Sequence, residues 1–173
     1  AAYYQQIEKS LGINYIKNMN LSDELEKELV RQSLIRLVIH EVGHTLGLSH
    51  NFKGSLLLTN DELNNKEIVN TKGISSSIME YPAINITKDP KDQGLFFDIK
   101  PGPYDIWAIE YGYTDYEDAE SENIGLTSIL SRSTEKELAF ANDAMDMRSP
   151  GKGSDPDAMI FDLSSTCLLY TSD

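Results

Sequence analysis

The stretch HEVGHTLGLSH, residues 40–50, holds all three histidines of the chain and constrains its chemistry more than any other segment. His40 and His44 are four residues apart, so on a helix they sit about one turn apart and roughly 40° around the axis, on the same side. Two ring nitrogens so placed can share one metal ion. Gly47 tolerates the positive φ that ends a helix in a sharp reversal, which returns His50 toward the same ion. Zinc takes about four ligands in tetrahedral array, so three neutral imidazoles leave one position for water. That open position separates a catalytic zinc site from a structural one, because a bound water whose pKa falls to about 7 is a usable nucleophile. Glu41, beside His40, is then the natural general base and afterwards the acid that protonates the leaving amine.

The residues before this stretch predict the helix it needs. Ser22 reads as an N-cap, with Asp23 and Glu24 at the positive end of the helix dipole. Leu25, Leu29, Val30, Leu34, Leu37, Val38, Val42 and Leu46 recur at spacings of three and four, an amphipathic stripe over about 22–47. Upstream, a short helix around Tyr3–Leu11 is expected to break at Gly12-Ile13-Asn14. Downstream, residues 51–73 read as a polar loop with one or two helical turns, SSSIMEYP as a turn closed by Pro82, and 83–100 as irregular, with Pro90 and Gly94 as breakers. In PGPYDIWAIEYGY, Pro103 suits a first helical turn and Gly112 a C-terminus, and a further short helix is expected around Thr134–Ala141. Alternating strand patterns are almost absent and no internal repeat is visible, so the expected fold is mainly α with long irregular loops.

Composition narrows the class. A chain of 173 residues buries one respectable core, so a single domain or a piece of one is expected. Lys and Arg number 15 against 28 Asp and Glu, and the resulting charge of −13 argues against nucleic acid or an anionic membrane surface as partner. No apolar run approaches a membrane span, and the single Cys167 excludes an internal disulfide framework. Asp143, Asp146, Asp155 and Asp157 lie in a Gly/Pro-rich stretch where clustered hard oxygens can bind Ca²⁺, a solvated loop being the alternative. The closing TCLLYTSD has no turn, cap or period and resembles the translation of a sequencing adapter, so 166–173 are read as a non-native tail.

H-E-x-x-H-x-x-G-x-x-H, carried by His40, Glu41, His44, Gly47 and His50, resembles the signature of the metzincin zinc metallopeptidases. SSSIMEYP is similar to the Met-turn of that clan, which implies that Met79, within a turn at about 76–82, forms an apolar floor under the imidazoles without ligating zinc. The resemblance also implies that Tyr81, two residues after that Met, either ligates zinc and swings to the oxyanion or merely packs. YDIWAIEYGY looks like the helix that closes the C-terminal subdomain, at about 103–111, with Asp105 either hydrogen-bonded to the Met-turn or facing solvent.

Together these segments most resemble a family of large bacterial zinc-dependent metalloproteases, over about 21–165. The resemblance implies a zinc metalloendopeptidase acting on protein or peptide substrates outside the cytoplasm, with 1–165 as a partial catalytic domain. In that clan a twisted sheet precedes the active-site helix and its edge strand pairs with extended substrate. The sheet is expected to lie largely outside these 173 residues, so the isolated chain is expected to bind zinc weakly and to hydrolyse peptides poorly. A non-catalytic zinc-binding module derived from such a domain is the competing reading. Glu41 argues against it, because a purely structural site has no use for a carboxylate at the base position. Substrate preference and oligomeric state have no signal in the sequence.

Overall fold

The computed structural model describes residues 2–146 and 154–165, with side chains from residue 6 onward. Among the described residues there is no β-strand; six α-helices and three short 3₁₀ turns are joined by irregular segments. The helices are α1 (Ala2–Asn18), α2 (Asp23–Thr45), α3 (Asn60–Leu63), α4 (Lys66–Lys72), α5 (Pro103–Tyr113) and α6 (Ala119–Leu130).

Helix α2 starts as its sequence predicts, with the Ser22 side chain accepting from the Leu25 N–H and Asp23, Glu24 and Glu26 in the first turn. It stops as predicted too. Gly47 has φ +87°, its N–H donates to His44 O and the Leu48 N–H donates to Gly43 O, a Schellman motif with Gly47 in the left-handed position. A Cβ on Gly47 would meet nothing within 4 Å, so glycine is needed for its backbone angle and not for room.

The apolar stripe of α2 does not face the core. Leu29 is buried, but Leu34, Val38, Val42 and Leu46 are 56%, 59%, 48% and 41% exposed, and the buried face carries Gln32, Ser33, Arg36, His40 and Gly43. Those polar residues turn inward because the loops packed against α2 lack a sheet's own hydrogen-bond ladder and take partners from side chains. Gln32 Oε1 accepts from the Phe96 and Phe97 N–H groups at 2.8 and 3.2 Å. Asp98 likewise accepts from the backbone of Ile74 and Ser75 and from the Ser75 hydroxyl.

Three apolar clusters fill the interior. Ile16, Leu29, Phe96 and Phe97 join α1 to α2; Leu58, Leu63, Val69, Ile74 and Leu95 hold α3 and α4 to the following loop; Phe52, Ala141, Ala158 and Ile160 lie beside the histidine stretch.

Several boundaries differ from expectation. Helix α1 runs through Gly12, where a Cβ would come within 2.4 Å of Leu29 Cδ1 and 2.6 Å of Ile84 Cδ1; this glycine permits close packing and does not break the helix. Gly112 lies inside α5, which ends at Thr114 as C-cap. The helix expected around Thr134–Ala141 reduces to a 3₁₀ turn at Lys136–Leu138. Helix α6, capped by Asp118, is unanticipated: its Ser, Thr, Asn and Gly residues weaken the local helix signal. Residues 166–173, read above as a non-native tail, lie outside the described residues. No described helix is long and apolar enough to cross a membrane.

Candidate metal centre

The three histidines reach one point from two elements. His40 and His44 project from the last turns of α2, and the reversal at Gly47 carries the chain back so that His50 faces them, with ring centroids 4.9 to 5.4 Å apart. One ligand atom from each lies within 4.8 Å of the others, the only such group of three or more His, Cys, Asp or Glu among the described residues. A tetrahedral zinc with Zn–N of ~2.05 Å needs about 3.3 Å between ligand nitrogens, so the three would draw together to hold one.

The outer nitrogen of each ring is tied down. Nδ1 of His40 donates to Ile78 O at 2.7 Å and Nδ1 of His44 to Leu48 O at 3.0 Å, both carbonyl acceptors that require the proton on Nδ1. Nδ1 of His50 faces both carboxylate oxygens of Asp143, at 2.9 and 3.0 Å. These contacts set the tautomers so that three Nε2 lone pairs point inward, and they fix the rings as outer partners of metal-bound histidines do. Burial pushes the His40 imidazole down to about 4, so it is neutral near pH 7, as a ligand must be. The donor set therefore suits zinc.

Tyr81 closes one side. Its hydroxyl lies 3.1 Å from His40 Nε2 and 2.9 Å from His50 Nε2, and its ring is 4.8 Å from that of His40. Glu41 follows His40 on α2 and is exposed to solvent.

Beneath the rings runs a tight turn in which the Glu80 N–H donates to Ser77 O. Met79 is fully buried there, and a Cβ on Gly43 would come within 2.4 Å of its sulfur, so the glycine between the two helical histidines is what lets Met79 lie against α2. The Met79 carbonyl accepts from the Asn51 N–H, tying the turn to the residue after His50.

Asp105, on the first turn of α5, braces this turn from below. Its carboxylate accepts from the Ser77 hydroxyl at 2.6 Å, the Ile78 N–H at 2.8 Å and the Gly102 N–H at 2.8 Å. Ile78 in turn supplies the carbonyl that holds His40, so Asp105 bears on the site through one intermediate residue. Gly102 is forced by the same docking, since a Cβ there would come within 2.1 Å of Ser76 O.

The four aspartates considered for Ca²⁺ are not gathered into a metal-capable group among the described residues. Asp143 faces His50, Asp155 pairs with Lys53 at 2.7 Å, Asp146 is buried and Asp157 is exposed.

Two contributors were not assigned to this site from the sequence: Gly43, and Asp143, which was considered there only for Ca²⁺. Asp143 is 93 residues from His50, beyond any local pattern. Replacing it with Ala is expected to weaken zinc binding about 10–100-fold by freeing the His50 ring. Its side chain is 63% exposed, so the fold should be unaffected. Competition against a metal-sensitive dye, with urea denaturation as control, checks both points.

Residues 22–173 match the model of a family described as Met-zincin, beginning at the N-cap of α2 and covering every site residue named above. No curated protein matches, and no solved structure matches.

Proposed function

This chain belongs to the Met-zincin family, and we propose that it is a zinc-dependent metalloendopeptidase in which His40, His44 and His50 hold the metal. The observation that carries this reading is the anchoring of all three Nδ1 atoms, which leaves three Nε2 atoms converging on one point. Held there, zinc supplies Lewis acidity, polarising the scissile carbonyl and acidifying a water.

The chain's own residues supply the proton transfers. Glu41 takes the proton from the attacking water and delivers it to the leaving amine, which separates as the peptide C–N bond breaks. The Tyr81 hydroxyl donates to the oxyanion that develops on the carbonyl oxygen, a role supported by its position within hydrogen-bond reach of two ligand nitrogens. Met79 and the turn around it keep the floor apolar, and Asp105 keeps that turn in register.

The test is zinc content by metal analysis, together with hydrolysis of a denatured-protein substrate by the full-length protein. About one zinc per chain is expected, with cleavage lost on chelation and restored by Zn²⁺. Stoichiometric zinc without cleavage by the full-length protein would instead identify a non-catalytic zinc-binding module.

A further inference from the structure

The buried face of α2 carries a cation that the reading above does not use. Arg36 lies one helical turn before His40 and is 5% exposed. Its Nη2 donates to the Glu80 carbonyl at 2.5 Å, and its guanidinium carbon stands 5.6 Å from the centroid of the Tyr81 ring. The carboxyls of Glu8, Asp98 and Glu80 lie near enough to favour its charged form, and burial pushes all three carboxyls upward. A buried guanidinium is costly unless paired, and this one is aimed at the Glu80 carbonyl and at the face of Tyr81.

The contacts converge on one residue. The Glu80 carbonyl belongs to the peptide unit that leads into Tyr81, whose N–H donates to Glu80 Oε1 at 2.8 Å and whose carbonyl accepts from the Phe161 N–H at 2.9 Å. Those bonds fix the Tyr81 backbone, yet its ring can still turn about the side-chain bonds. The Arg36 guanidinium stands over that ring at cation–π distance, which restricts the arc over which the hydroxyl can move.

We propose that Arg36 is a positioning residue that holds the Tyr81 hydroxyl between His40 Nε2 and His50 Nε2. The proposal rests on the functional reading above for its kinetic consequence, though not for its geometry. Lysine at this position would keep a buried charge opposite Glu8, Asp98 and Glu80 while losing both the planar face and the forked donor. Arg36→Lys is therefore the informative change. The double variant Arg36→Met/Glu8→Gln, which removes the cation with one opposing carboxyl, provides a second route should lysine not be accommodated.

The experiment has two arms, both on the full chain. In metal-free protein carrying isotope-labelled tyrosine and histidine, NMR reads the Tyr81 ring and the histidine Nε2 resonances, with Tyr81→Phe providing assignment. Either variant is expected to move the His40 and His50 Nε2 signals toward their positions in Tyr81→Phe, leaving His44 in place, whereas unchanged Nε2 signals in a folded variant overturn the proposal. In zinc-loaded protein, Arg36→Lys is expected to lower kcat about tenfold with KM within about twofold. In the Tyr81→Phe background the same change should leave kcat unaltered. An equal loss of kcat in both backgrounds would mean that Arg36 acts only on the fold. If no peptide is cleaved at all, the function assigned above fails, and the metal-free arm still decides the role of Arg36.

Discussion

Glu41→Gln is expected to leave zinc bound and to lower peptide hydrolysis by roughly 10²–10⁴-fold. The substitution preserves the size and shape of the side chain and removes only its basicity. Glu41 is exposed to solvent and is not among the buried residues that pack α2, so the fold should not respond. The three imidazoles keep their outer hydrogen bonds, to Ile78, Leu48 and Asp143, whatever stands at position 41. Metal content is thus a control internal to the experiment. A drop in kcat with KM and zinc stoichiometry unchanged assigns the loss to proton transfer. Full activity with zinc retained would remove Glu41 from the mechanism.

The eleven residues from His40 to His50 were legible because their geometry is local. A turn of helix, a glycine in the left-handed region and a reversal of three residues need no knowledge of the rest of the chain, and Gly47 adopts the conformation its place in the pattern implies. The capped start of α2 was equally readable, since Ser22 satisfies an N–H only three residues away. The face of α2 was not. Periodicity shows that Leu34, Val38, Val42 and Leu46 share a side, but which side packs depends on what the loops offer. These loops offer unpaired backbone groups that Gln32 and Arg36 meet.

The supports of the site were hidden for the same reason. Asp105 reaches Ser77 and Ile78 across 27 or more positions, and Asp143 reaches His50 across 93. Nothing near Asp143 in sequence distinguishes it from Asp146 or Asp155, yet it is the Asp143 carboxylate that meets the His50 ring. In a chain whose described residues include no strand, side chains do the work of joining distant segments, and such pairings leave no periodic trace.

His40→Ala and His44→Ala should separate metal binding from folding. Each removes one of three ligands and is expected to weaken zinc binding on the order of 10²-fold or more. Their metal-free stabilities should differ. His40 is 1% exposed and donates to Ile78 O, so truncation leaves a void and a buried carbonyl without its donor, a loss of about 2–4 kcal/mol in urea denaturation with chelator present. His44 is exposed, and its loss should cost less than about 1 kcal/mol.

The pH dependence sharpens the contrast. The folded chain holds His40 down at about 4 against an ordinary 6.5, so between those values the unfolded chain binds more protons at this position. The contribution of His40 is complete above pH 6.5 and is lost as pH falls toward 4. Glu8 and Asp162 act with the opposite sign, since burial raises them to about 7 and about 6 and their contributions fade as pH rises through those values. Burial also raises the carboxyls of Glu80, Asp98 and Asp105, so the wild-type slope combines all of these effects and the comparison with each variant isolates the one removed. In His40→Ala the falling limb should disappear, so that acidification from pH 7 to pH 5 stabilises the variant relative to wild type. A His40→Ala slope equal to that of the wild type would show that His40 is not held neutral by the fold.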